Sequence, residues 1–243
     1  MTWTQLSVIL LASAAGAFVK GVTGMGYPVL AVPIIAVATG IEDAVVVVAL
    51  PNLAANAYLC WEAREHRGGA RDLDRLVGFG VLGAVVGTIA LVRLPETPLR
   101  LALALTIAAF VVQFLRHPGF RVDPATARRW SPVAGSVAGL MQGALGVSGP
   151  VVAGWLHGYR LPRESYVFEI TLMFGVTGAA QIVVLVAQGS FDADRLLGAA
   201  AASLAVMAGI PLGLALRRRL AGRGFEYAVL AVLVASAVSL VFS

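Results

Sequence analysis

The chain has 243 residues, of which 59% are hydrophobic and only 13% charged, with a formal net charge of +5. A soluble domain carries about a quarter of its residues as charges, so this composition argues against a soluble enzyme, a nucleic-acid binder and a disordered segment. It fits a polytopic membrane protein, with room for at most about ten spans of ~20 residues.

The basic residues lie in short clusters between long apolar stretches. Positively charged cytoplasmic loops explain such clusters better than a nucleic-acid partner does. Cys60 is the single cysteine, which excludes an intrachain disulfide and a cysteine-based metal site. His66, His117 and His157 are scattered and lack metal-ligand spacing. No metal ligand, catalytic residue or cofactor is therefore assigned.

From Met1 to Ile41 there is one charge, Lys20. No basic segment precedes this run as it would in a signal peptide, so the run is expected to be retained. A second run covers Ala44–Trp61, and the loop Glu62–Arg75 then carries four arginines and four acids. Further runs cover Leu76–Val92 and Leu101–Leu115, ahead of an arginine-rich loop at Arg116–Trp130. Ser131–Tyr159 is uncharged, Ser165–Ser190 is interrupted by Glu169 alone, and Leu196–Leu216 and Tyr227–Phe242 flank a cluster of four arginines. Runs of this length predict spanning helices, because lipid admits only backbone that is hydrogen-bonded internally.

Placing the loops 62–75, 116–130, 158–165 and 217–223 inside puts 14 of the 18 basic residues on the cytoplasmic face. The outer loops then hold three, Lys20 lies within a span, and the termini are expected outside. Ala44–Trp61 then runs inward and Tyr166–Gln188 runs outward.

A second regularity joins the halves. Lys20-Gly21-Val22-Thr23-Gly24-Met25-Gly26-Tyr27-Pro28 aligns with Gln142-Gly143-Ala144-Leu145-Gly146-Val147-Ser148-Gly149-Pro150 at an offset of 122 residues. The same offset brings Glu42 onto Glu164 and Gly87 onto Gly209. Ordered matches with opposite orientation predict an inverted-topology repeat within one transmembrane domain. Residues 1–116 form the first repeat, 117–130 a cytoplasmic linker and 131–243 the second. Each repeat is an all-α unit with a Gly-rich re-entrant or broken-helix segment and three spanning helices.

Ser131–His157 starts and ends inside and is too short for two crossings, which need about 40 residues. A helix from Ser131 to Met141 would rise roughly 16 Å, which puts the turn Gly143–Gly149 near the midplane. The first turn, Gly21–Gly26, is expected to match it from the outer side, although its preceding arm is long enough to be a full span. Pro28 and Pro150 suit the first turn of a new helix. Each turn thus offers a helix N-terminus with free N–H groups and positive partial charge. Two such ends with the Lys20 ammonium make an anion site.

The expected substrate-binding residues are Lys20, Gly21, Thr23, Gly24, Gly26, Asn52, Asn56, Gln142, Gly146, Ser148, Gly149, Thr177 and Gln181. Each has a structural alternative. Lys20 could snorkel to an interface, the glycines could serve close helix packing, and Thr23 and Ser148 could cap helices. The amides and Thr177 could join helices rather than line a pathway. Glu169 reads as an interfacial group paired with Arg163 or Arg160, with a proton-coupling carboxylate as the alternative. Arg217–Arg219 reads as an orientation signal, and Trp3, Trp130 and Trp155 as interface anchors or packing.

The stretch Gly16–Pro33, with Gly24-x-Gly26-x-Pro28 and Val32-Pro33, resembles the TauE/SafE sulfite exporter family, also called the toluenesulfonate uptake permease family. So do Gly139–Pro150 and the basic loop Glu65-His66-Arg67-Gly68-Gly69-Ala70-Arg71-Asp72. The resemblance spans almost the whole chain. It implies an inner-membrane transporter for small sulfur-containing anions such as sulfite or organosulfonates. Its partners would be the anion, membrane lipid and a coupling ion such as a proton, with self-association left open and no nucleic acid. The competing readings are a channel or a transporter of another substrate, and a membrane enzyme. Few carboxylates within the spans argue against a cation role, and no His, Cys/His or Ser/His constellation lies there to support catalysis.

The topology can be tested directly. In a Cys60→Ser background, single cysteines placed in loops 62–75 and 116–130 are expected to react with impermeant thiol reagents from the same, cytoplasmic, face. Labelling from opposite faces would refute the arrangement.

Overall fold

A computed structural model describes residues 1–23, 26–116, 123–220 and 223–242. The described residues are helical, with no strand among them. Ten α-helices are seen: α1 (Trp3–Thr23), α2 (Tyr27–Thr39), α3 (Ile41–Glu62), α4 (Leu73–Arg93), α5 (Glu96–Arg116), α6 (Pro124–Leu145), α7 (Gly149–Gly158), α8 (Arg163–Ala187), α9 (Ala193–Leu220) and α10 (Arg223–Phe242). A short 3₁₀ helix, Arg64–Gly69, joins α3 to α4.

Among the described residues, five helices are long and apolar enough to cross a membrane: α1, α3, α4, α8 and α9. Their outward faces carry large apolar side chains such as Leu11, Leu82, Val183, Leu204 and Met207, all more than half exposed. An aqueous protein would not display so many; the chain is a multi-pass membrane protein.

The chain divides into two compact units. The first is Met1–Pro51, Leu94–Val112 and Gly189–Ser243; the second is Asn52–Arg93 and Gln113–Gln188. Each draws on both sequence halves. The division falls inside α3, where Pro51 interrupts the helix's own hydrogen-bond ladder.

In the first unit α1 packs along α9, and α2 lies against α1 and α10. The α1–α9 seam is backbone on backbone. A side chain at Gly21 would run into the Ile210 carbonyl, and one at Gly213 into the Phe18 carbonyl. Arg195 at the start of α9 pairs with Glu42 (3.0 Å) and Asp43 (2.7 Å) in the first turn of α3. The Glu96 carboxylate accepts the N–H of Ile41 (3.2 Å), satisfying a main-chain donor that the helix itself cannot.

In the second unit α4 packs along both α6 and α8. The α4–α6 seam is again made by glycine. A side chain at Gly87 would collide with the Leu140 carbonyl, one at Gly83 with the Ser136 carbonyl, and one at Gly143 with the Ala84 carbonyl. These contacts correspond pair by pair to those of the first unit. Gly83 meets Ser136 and Leu140 as Gly209 meets Ala14 and Phe18; Gly87 meets Leu140 and Ala144 as Gly213 meets Phe18 and Val22. By contact, Gly87 therefore corresponds to Gly213, one helical turn beyond the Gly209 that sequence alignment pairs with it.

Two sequence expectations about the second half change. The arm leading to the second turn is not an 11-residue piece starting at Ser131 but a 22-residue helix starting at Pro124. The Asp123 carboxylate accepts from the N–H groups of Ala125 (3.1 Å) and Thr126 (3.2 Å), and Pro124 occupies the first turn, so the helix begins within the expected linker. Residues 117–122 of that linker lie outside the described residues. The break itself is shorter than Gly143–Gly149. Gly143 is still inside α6, and only Gly146 to Ser148 separate α6 from α7.

The glycine seams predict a sharp contrast. Gly87→Ala is expected to destabilise the protein by about 1–3 kcal/mol through overpacking. Gly78→Ala, on α4 but with open space beyond its Cα, is expected to be neutral or to stabilise by up to about 1 kcal/mol through helix propensity. Thermal unfolding of the two variants in detergent checks both signs.

Candidate functional site

Two helix breaks organise the expected site residues, one in each unit. In the first, α1 ends at Thr23 and α2 starts at Tyr27. Gly26 precedes α2 with φ 112°, a left-handed conformation that a side chain would strain, and Pro28 stands in the helix's first turn. Tyr27 is completely buried, and its hydroxyl donates to Ser13 Oγ at 3.4 Å. Gly16 lets α1 approach close to the Tyr27 carbonyl. Lys20 is 4% exposed, on the last turn of α1. It is thus a buried basic side chain in a helix long enough to span, not one that reaches an exposed surface. Gly21 is committed to the α9 seam. Gly24 and the Thr23 side chain lie outside the described residues.

In the second break α6 ends at Leu145 and is capped by Gly146, again left-handed (φ 67°), and α7 starts at Gly149 with Pro150 in its first turn. A helix end leaves its last four carbonyls without intrahelical donors. Gln181 of α8 serves two of them: its Nε2 donates to the carbonyls of Gln142 (2.9 Å) and Gly143 (3.2 Å). The N–H of Gly146 also donates to the Gln142 carbonyl (2.9 Å). Gln142 Nε2 donates back to Gln181 Oε1 (3.2 Å), and the Ser148 hydroxyl donates to Gln142 Oε1 (2.9 Å). All three side chains are at most 3% exposed. Gln142, Ser148 and Gln181 thus form one buried network around the break. Ser148 does not cap α7 with its side chain; the hydroxyl is turned to Gln142 instead. Gln181 is a cap for a broken helix, a role beyond the expected choice between pathway and glue.

The other expected residues of this unit make bonds of their own. Asn56 Nδ2 donates to Asn52 Oδ1 (3.1 Å), both amides are buried, and a side chain at Gly175 of α8 would come within 4.0 Å of Asn56. The Thr177 hydroxyl is spent on its own helix, donating to the Met173 carbonyl at 2.7 Å.

A further polar cluster, not among the expected binding residues, lies where the basic loop meets α8. Glu169 is fully buried, and its Oε2 accepts the main-chain N–H of Arg71 (3.1 Å). This corrects the expected pairing with Arg160 or Arg163: the carboxylate is held by loop backbone. Ser165 Oγ donates to the His66 carbonyl (3.2 Å), so two bonds fasten the loop to the start of α8. Trp155 Nε1 donates to the Tyr159 hydroxyl (2.8 Å), which donates to Asp72 Oδ2 (3.3 Å). Trp155 is therefore a hydrogen-bonded anchor of this cluster. Burial pushes the Tyr159 phenol above its ordinary value, and it stays a donor at neutral pH. No group of three or more metal-ligating side chains occurs among the described residues.

Left-handed glycines, proline-started helices and buried polar groups inside apolar spans are features of a helical membrane transporter. The model of the sulfite exporter TauE/SafE family matches residues 8–240, and the chain belongs to that family. No curated protein and no solved structure matches the chain.

The network around the second break makes its own prediction. Gln181→Leu removes the side-chain donors to the Gln142 and Gly143 carbonyls, of which only the first keeps another partner in the Gly146 N–H, and is expected to cost about 1–3 kcal/mol through lost buried hydrogen bonds. Chemical denaturation in micelles, with Gln181→Glu as a variant that keeps size but loses the donors, measures it.

Proposed function

We propose that this protein is a secondary transporter that exports sulfite or small organosulfonates across the inner membrane. Its parts follow from an inverted-topology repeat in which α1 to α5 correspond to α6 to α10. The matched glycine contacts of α1 with α9 and of α6 with α4 support that correspondence. The loops 62–75 and 116–130 face the cytoplasm in this reading. One repeat moving against the other gives alternating access.

The carrying observation is the recurrence, once in each half, of a left-handed glycine followed by a proline-started helix, at Gly26–Pro28 and at Gly146–Pro150. The first-turn N–H groups of such helices lack intrahelical acceptors and carry positive partial charge. They suit a small oxyanion that approaches along the helix axis. In the first unit Lys20 adds a basic side chain beside the break. In the second, Gln181 spends its amide hydrogens on carbonyls, so the donors that this break by itself offers are the main chain at Ser148 and Gly149 and the remaining amide hydrogen of Gln142. An anion in lipid needs this exchange of its water shell for fixed N–H donors.

Lys20→Ala is expected to weaken sulfite binding and transport about tenfold or more, the scale of one charged hydrogen bond, without loss of membrane insertion. Sulfite flux in proteoliposomes and thermal shift of the purified protein read this out. Wild-type flux in the variant would remove Lys20 from the site. A wild-type protein that neither binds nor moves sulfite or any sulfonate would overturn the substrate class.

A further inference from the structure

Glu169 stands at a small crevice in the second unit, with an interior on the scale of a single water molecule. The crevice is lined by Leu73, Leu76, Val152, Leu156 and Met173 among other apolar side chains, and by Glu169 as its one carboxylate. Glu169 Oε2 is occupied by the Arg71 N–H, whereas its Oε1, fully buried, receives a hydrogen bond from no described residue. An ionised carboxylate with an uncompensated oxygen away from water is costly, and a bound proton removes the cost. The neighbouring groups do not replace that proton. From the lead-in to α4 come Arg71, whose main chain bonds Oε2 and whose guanidinium is a nearby positive charge that does not bond Oε1, and Asp72, a negative charge that offsets it; from the end of α7 comes Tyr159, whose proton is given to Asp72. On α8 itself, Tyr166 lies one turn before Glu169 with its ring against His157. The faces contributed by α4 and α6 are apolar.

We propose that Glu169 is a proton-binding site of this transporter: a hydronium in the crevice gives its proton to Oε1, leaving water and a neutral carboxyl. The carboxyl returns the proton to water when the crevice is next hydrated, so its charge alternates between −1 and 0. Oε2 keeps the Arg71 N–H in both forms, but the bond is charge-assisted only in the ionised one and roughly twice as strong there. The proton is thereby read out as a change in how firmly the basic loop is held on α8. That proton uptake serves anion movement rests on the transporter reading above; the proton site itself does not.

Infrared difference spectra of the purified full-length protein across a pH series test the site. A protonated-carboxyl stretch is expected to grow as pH falls, to vanish in Glu169→Gln and to shift in frequency in Glu169→Asp, which serves if the glutamine variant does not fold. A band that is absent from the wild type, or unchanged in both variants, overturns the proposal. In sulfite-loaded proteoliposomes the ratio of flux with and without a pH gradient is expected to exceed one in the wild type and to fall to about one in Glu169→Gln; an unchanged ratio overturns the coupling role. A Glu169 band in a protein that moves no sulfite supports the proton site while sinking the sulfite reading.

Discussion

In the hydrocarbon of a bilayer, every main-chain N–H and C=O has to find its partner inside the protein. Continuous helices meet this demand by themselves; broken ones do not. The two breaks are where this chain departs from the simple solution, and much of its polar chemistry answers the departure. Gln181 reaches across from α8 to the open carbonyls of α6. Gly146 folds its own N–H back to the same carbonyl. Pro28 and Pro150 begin helices at positions where a missing N–H costs nothing. The first-turn N–H groups of α2 and α7 lie, as at any helix start, beyond the reach of intrahelical acceptors.

The glycine seams serve the same end from another direction. Helices in lipid gain little from burying apolar side chains against one another and gain more from close approach. Gly83, Gly87, Gly139 and Gly143 bring α4 and α6 to backbone contact, and Gly21, Gly209 and Gly213 do so for α1 and α9. Such contact holds the arm before each break close against its neighbour. Charge is used sparingly. Arg195 with Glu42 and Asp43 fixes helix starts in one unit, and Glu169 with the Arg71 main chain fixes a loop in the other.

The apolar runs, both breaks and the burial of Lys20 were legible from residue order alone, because each rests on a local signal: hydropathy, Gly-x-Gly and Gly-Pro spacing, an isolated charge. The start of α6 carries a local signal in the helix-start pair Asp123-Pro124, but Arg128 and Arg129 just after it have the look of a charged loop. The partner of Glu169 was not legible. It is a main-chain N–H almost a hundred residues away, and a backbone donor leaves no mark in residue type. The same holds for the role of Gln181, whose acceptors are carbonyls. Nor does spacing reveal that α1 seeks α9 and α6 seeks α4, because a Gly-rich face fits many partners. Only the contacts distinguish the Gly87–Gly213 correspondence from the Gly87–Gly209 alignment.

Backbone contact between helices has a property that side-chain packing lacks. Dispersion falls steeply with distance, and a gap of 0.5–1 Å forfeits about a quarter to a half of the attraction. A seam cushioned by leucines can repack as it opens, trading one rotamer for another. The α4–α6 and α1–α9 seams have no such cushion. Joints of that kind part abruptly rather than by degrees, so each pair is expected to move as one stiff strut.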